Sequence, residues 1–286
     1  MVPRGLDHIV HAVRDLDAAA EFYRRAGFTV GARNKHTWGT HNHVVQLPGF
    51  FIEILTLAEP DKLGSDGLSE HFGRFNQNAI ARGDGFSMLM LESSNIDVDA
   101  QEFNRNGIGR SSVLPFSRQA KTADGNTTTV GFSLLFAEDN ASPNMGFALC
   151  QQHNPSAFWN PSFQTHANGA NAVSGVIFVA DQPMDHAGFL SAFSGVGMLD
   201  NHADGVTAHT PRGSIEIFKV AAFRDRFGAS PNDIQGLKLV GLKISVKDLD
   251  QIEALLQKSG MACSRHEGRL VIAPDAAFGA TLIFGD

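Results

Sequence analysis

Along residues 6–26, "LDHIVHAVRDLDAAAEFYRRA", the spacing of apolar positions changes partway. Residues 8–13 read as a strand, with His8, Val10 and Ala12 on one face and Ile9, His11 and Val13 on the other. From residue 16 the apolar positions recur at helical spacing: Ala19, Phe22, Tyr23 and Ala26 share a face. Asp15 stands where its carboxylate can cap the first helical turn, and Gly27 suits a left-handed helix end. Near the C-terminus the layout returns in "GLKISVKDLDQIEALLQKSGM", with Asp248-Leu249-Asp250 matching Asp15-Leu16-Asp17. Gln251, three residues after Asp248, approaches a capping box, and Ile252, Leu255 and Leu256 form the apolar face. Val13 to Gly27 and Val246 to Gly260 both span 14 positions.

Two looser copies lie between. One runs from Leu91 to Gly107 and the other from Val179 to Gly195, each over 16 positions. Strand-like segments follow every helix, among them "HVVQL", "FFIEILTL", "GFSLLFAED", "SIEIF" and "ATLIF". The chain therefore predicts four βαβββ modules, an α+β fold. Two connectors interrupt them: residues 58–84, with a short helix after Gly67, and residues 151–171, rich in Asn and Pro. The second connector divides the expected halves, 1–156 (modules 1 and 2) and 157–286 (modules 3 and 4). Pairing of module 1 with module 4 is the alternative.

Composition narrows the function. With 286 residues, 43% hydrophobic and 19% charged, the chain has the profile of a globular protein with a large core. A net charge of −7 without a basic run argues against a nucleic-acid partner. No stretch approaches the 18 apolar residues of a membrane span, and the N-terminus enters a strand pattern without a signal-peptide layout. Cys150 and Cys263 lie far apart with no zinc or disulfide spacing, so the expected compartment is the cytoplasm. Nucleophile-elbow, phosphate-loop and dinucleotide motifs are absent.

The four modules, the opening "LDHIVHAVRDLDAAAEFYRRAGFTV", then "GTHN" (Gly39 to Asn42) and "FIEIL" (Phe51 to Leu55) resemble the vicinal oxygen chelate superfamily, in its glyoxalase-like branch. The resemblance covers nearly the whole chain and is strongest in the first module. It implies that paired modules curl into cups around a divalent metal (Zn, Mn, Fe, Ni or Co). A histidine on the first strand and a glutamate on the last strand of a module would bind that metal. Those positions match His8 and Glu53. Isomerase, lyase and dioxygenase chemistry, as well as drug sequestration, occur in the superfamily.

In the other modules the pattern thins. Phe86 and the region Ala148 to Cys150 fall at the ligand positions of the second, Ser174 and Glu216 at those of the third, and Gly241 and Ile283 at those of the fourth. One His/Glu pair is complete, below the three protein ligands a transition metal usually takes. The pair could equally serve as an acid–base couple. Thr40, Asn42, Gln46, Trp38 and the connector residue His166 are expected substrate contacts. His41 and His43 share the opposite strand face from Asn42 and Gln46. The first reading is thus an enzyme acting on a small oxygen-rich substrate through His8 and Glu53. The alternative is a metal-free small-molecule binding or resistance protein, and a third has one half supporting a homodimer.

Overall fold

The computed structural model describes residues 2–121, 127–231 and 236–285. Two eight-stranded sheets carry the chain. The first is built from β1 (Leu6–Ala12), β2 (Asn34–Lys35), β3 (Thr40–Leu47), β4 (Phe50–Leu57), β5 (Gly85–Glu92), β6 (Leu114–Lys121), β7 (Thr127–Ala137) and β8 (Gly146–Gln152). The second comprises β9 (Ala170–Val179), β10 (Asp200–His202), β11 (Gly205–His209), β12 (Ser214–Phe218), β13 (Lys238–Val246), β14 (Ser264–His266), β15 (Arg269–Ile272) and β16 (Thr281–Phe284). The helices are α1 (Leu16–Arg25), α2 (Phe75–Arg82), α3 (Ile96–Arg105), α4 (Pro155–Phe158), α5 (Ala187–Ser194), α6 (Val220–Phe227) and α7 (Leu249–Lys258).

The strand orders are β2-β3-β4-β1-β5-β8-β7-β6 and β10-β11-β12-β9-β13-β16-β15-β14. Each module closes with its first strand parallel to its last, and antiparallel β1–β5 and β9–β13 ladders join modules in pairs. Module 1 therefore shares its sheet with module 2, not with module 4.

The local signals act as read. Asp15 accepts from Ala18 N at 2.9 Å, and Asp248 accepts from Asp250 N and Gln251 N at 2.9 and 3.1 Å. Gly27 and Gly260 take φ of 85° and 65°, where a Cβ would clash with the backbone. The helix expected after Gly67 appears as a π-helical turn, Ser69–Arg74, running into α2. The 151–171 connector is more ordered than its composition suggests, holding α4 and a 3₁₀ turn, Pro161–Gln164.

One apolar core passes through both halves, from Ile9, Tyr23 and Phe103 to Phe178, Phe193 and Phe284. Arg4, 3% exposed, bridges them as well. Its guanidinium donates to Asp99 Oδ1 (2.7 Å) and Glu102 Oε2 (2.6 Å) on α3, and to the Phe193 carbonyl of α5 (3.0 Å). Helices α1 and α3 pack in the core on one side of the first sheet, and the other side forms a cup that Phe72 of the π-helical turn and Phe158 of α4 help to close. Among the described residues, no helix is long and apolar enough to cross a membrane.

A candidate active site in the first cup

The alternation read from the sequence decides what β1 offers the cup. Ile9 and Val13 join the helix-side core, whereas Val10 packs on the cup side with Trp38, Leu55 and Phe72. His8 lies on that cup side, its ring stacked on Phe51 with centroids 4.1 Å apart. Asp7, the preceding residue, would ordinarily face away. The β1–β5 ladder is irregular between Leu6 and His8, however, and such an irregularity re-aims side chains. As a result His8 Nδ1 lies 2.5 Å from Asp7 Oδ1, and Gln152 Nε2 donates to Asp7 Oδ2 at 2.9 Å. Cys150 reaches the same carboxylate from β8. Burial, together with the negative charge of Asp7, the hydrogen bond to it and the more distant Glu53, pushes the Cys150 thiol well above its usual range. It stays protonated at neutral pH.

Beside this cluster, β3 and β4 carry a second one. Glu53, 5% exposed, accepts from the Asn42 side-chain amide. His36 Nε2 stands 3.9 Å from Glu53 Oε1, and His36 Nδ1 is fixed by Thr40 Oγ1 at 2.8 Å. Burial lowers the His36 pKa; the charge of Glu53 opposes that shift, and Arg118 and His41 reinforce it. His36 is therefore neutral at pH 7. Burial also lowers the Arg118 pKa, with the charge of Glu53 opposing. Both clusters face a cavity of about 70 Å³ whose walls include Trp38, Phe51, Phe72, Phe116, Phe132 and Phe158.

Of the expected residues, His8, Glu53, Asn42 and Trp38 line this cavity. Thr40 stands one step behind it, orienting His36. Gln46 and His166 are outside the lining. Gln46 ties the connector down, donating to the Phe158 carbonyl (2.9 Å) and accepting from Asn160 N (3.0 Å). His166 accepts from Thr29 N at 3.0 Å and donates to the Gln46 carbonyl at 2.8 Å, a clamp between backbone segments. Sequence reasoning missed Asp7, His36, Arg118 and Gln152, and reached Cys150 only as the end of the region at the glutamate position of module 2. Strand alternation puts Asp7 on the wrong face, His36 lies in the loop between β2 and β3, and the others come from strands whose register only the fold sets.

That register also corrects the comparison between modules. Backbone bonds Val13 N to Leu55 O, Ser93 N to Cys150 O and Ala180 N to Phe218 O mark one point in three modules. Counting back from it, Met88 rather than Phe86 occupies the place of His8 in module 2, with Ala148 in the place of Glu53. In module 3 the places go to Gly175, not Ser174, and to Glu216. Glu216 is neutralised: Lys243 Nζ approaches it at 2.7 Å and Ser214 donates at 2.6 Å, within a polar second cavity of about 720 Å³.

These facts bear on the metal that the fold implies. His8 and Glu53 are separately engaged, by Asp7 and by Asn42. Among the described residues, no third carboxylate, imidazole or thiol converges on both of them within 4.8 Å. Met88 and Ala148 supply nothing from the facing module. The His8/Glu53 pair therefore does not fit a divalent ion, and we derive no step through one bound there.

Known proteins sharpen the identification. A search of curated proteins returns no significant match. Among solved structures, a hypothetical protein from Staphylococcus aureus superposes with a TM-score of 0.68 at 12% identity, covering 98% of each chain. A mutant of 4-hydroxymandelate synthase from Streptomyces coelicolor superposes at 0.55, also with 12% identity, covering 94% of this chain and 78% of the other. At such identities the likeness is one of fold. The family model described as a glyoxalase-like domain matches residues 6–193, which include both first-cup clusters. The chain belongs to the glyoxalase-like domain family, within the vicinal oxygen chelate superfamily.

Proposed function

We propose that the first cup is the active site of an enzyme that moves a proton on a small oxygen-bearing molecule, with Glu53 as the base. The observation carrying this reading is a buried carboxylate facing an aromatic cavity, with a neutral imidazole 3.9 Å away. Asn42 holds one carboxylate oxygen, which leaves the other for the substrate. Glu53 takes a proton from the carbon beside a carbonyl, the C–H pair forms a C=C bond, and the carbonyl pair moves onto oxygen. Arg118 is the cation available to stabilise that oxygen. On an α-hydroxy carbonyl, the hydroxyl proton then passes to the enolate oxygen and the carbon proton returns to the former carbonyl carbon. The hydroxyl oxygen becomes the new carbonyl, which completes an isomerisation. Where a leaving group stands β to the carbonyl, the enolate pair re-forms the carbonyl as that group departs with its bonding pair, a lyase step. A cavity of about 70 Å³ suits a substrate of a few heavy atoms. His8 then serves to shape the cup through Phe51 and Asp7.

A second reading, a metal-free binding protein, is favoured by one observation: Met88, Met90, Phe136 and Ala148 pave part of the cup with apolar surface. One experiment separates the two. Exchange of α-protons for deuterium is followed by NMR for hydroxyacetone and dihydroxyacetone, with Trp fluorescence reporting binding. Wild type should catalyse exchange, and Glu53→Gln should slow it by roughly 10²–10⁴-fold while still binding. Binding without exchange in both proteins would establish the binder. Neither binding nor exchange would refute the proposed substrate class.

A further inference from the structure

Asp7, His8 and Cys150 take no part in the proton transfer just described, yet they are built with care. One ligand atom from each lies within 4.8 Å of the others, and all three residues are buried. The ladder irregularity puts two consecutive residues of β1 on one side, and Cys150 meets them from β8. Surrounding groups hold their orientation: Phe51 stacks on the imidazole, and Gln152 donates to the far oxygen of Asp7. The other end of the same amide, Gln152 Oε1, is buried without a hydrogen-bond partner. An orphaned acceptor beside a cluster of ligand atoms is costly unless a donor reaches it. His8 and Cys150 also line the cavity, so one side of the trio is open.

We infer that Asp7, His8 and Cys150 form a binding site for a thiophilic divalent cation of the zinc class at the edge of the first cup. A sulfur, nitrogen and oxygen donor set is one that zinc and cobalt accept, with a fourth position left toward the cavity. The charge balances in this buried place: one thiolate and one carboxylate neutralise a dication. Loading releases one proton, from the Cys150 thiol, and moves the His8 proton from Nδ1 to Nε2. A water carried by the cation would supply the donor that Gln152 Oε1 lacks. This site is distinct from the His8/Glu53 pair, since Glu53 stands outside the trio.

The test uses Co²⁺ on the full chain after chelator treatment. The expected result is one equivalent bound, a thiolate-to-cobalt charge-transfer band in the near ultraviolet, one proton released per ion, and displacement by Zn²⁺. Cys150→Ser should abolish the band and weaken binding at least tenfold, whereas Cys263→Ser, at the other cysteine, should keep both. No band at excess Co²⁺, or a band that survives Cys150→Ser, would overturn the inference. If near-ultraviolet circular dichroism shows Cys150→Ser misfolded, Asp7→Asn replaces it, and unchanged affinity there would be equally fatal. Glu53→Gln should bind Co²⁺ as wild type does, so this site and the proton-transfer reading fail independently.

Discussion

Acidification should destabilise the protein mainly through a histidine that never touches the cavity. His11 is fully buried, with Nδ1 2.8 Å from Tyr23 Oη and Nε2 2.9 Å from the Phe278 carbonyl of the second half. Burial lowers its pKa from 6.5 to about 4, and the Phe278 carbonyl and the charge of Asp84 only partly oppose this. Below pH 6.5 the unfolded chain takes up the proton before the folded one does. Stability is therefore whole above pH 6.5 and is lost progressively as pH falls to about 4. The gap amounts to about 3 kcal/mol in full, of which about 2 kcal/mol is lost by pH 5. His36, His71 and His166 are also lowered by burial and add with the same sign. The assay is equilibrium urea unfolding at pH 7 and pH 5, on wild type and His11→Gln. The variant can be less stable at both values, but its loss between them should be smaller by about 2 kcal/mol. An equal loss in the two proteins would refute the reasoning. Because His11 shares β1 with Asp7 and His8, the same protonation should also lower activity at acid pH in step with unfolding.

Other perturbations test the frame around the site. Arg4→Met leaves Asp99 buried without its partner and should cost about 3–5 kcal/mol, read from the urea midpoint; Arg4→Met with Asp99→Leu should recover much of it. Gly39 has φ of 90°, and a Cβ there would meet Glu59 O at 2.1 Å, so Gly39→Ala should cost more than about 1 kcal/mol. The same change should displace the neighbouring Trp38, seen as an altered fluorescence maximum. Asp15→Ala removes a helix cap far from the cup, so about 1 kcal/mol of stability should go with α-proton exchange per folded molecule unchanged.

Much of this protein follows from local rules that a sequence states directly. Asp15 and Asp248 begin helices, Gly27 and Gly260 end them, and the alternation of His8, Val10 and Ala12 with Ile9, His11 and Val13 gives β1 its two faces. Those signals act over a few residues, so spacing alone carries them, and repeated four times they define the α+β fold. The pairing of module 1 with module 2 was beyond reach, because either antiparallel partner satisfies the same strand pattern. The site was half legible. His8, Glu53 and Asn42 sit where strand faces put them, and Trp38 reaches the cavity from the turn before β3. Asp7 joined them only through an irregular β1–β5 ladder, which a period of two cannot anticipate. Cys150, His36 and Arg118 come from strands and loops distant in sequence, and whether their side chains meet depends on hydrogen-bond register. A register shift of one residue turns a side chain to the opposite face, as Gly175 in place of Ser174 illustrates. Gln46 and His166 were the reverse case. Their polarity marked them as pocket residues, but unpaired backbone at the connector took up their hydrogen bonds. Tertiary structure decided which polar groups serve the cavity and which satisfy the chain itself.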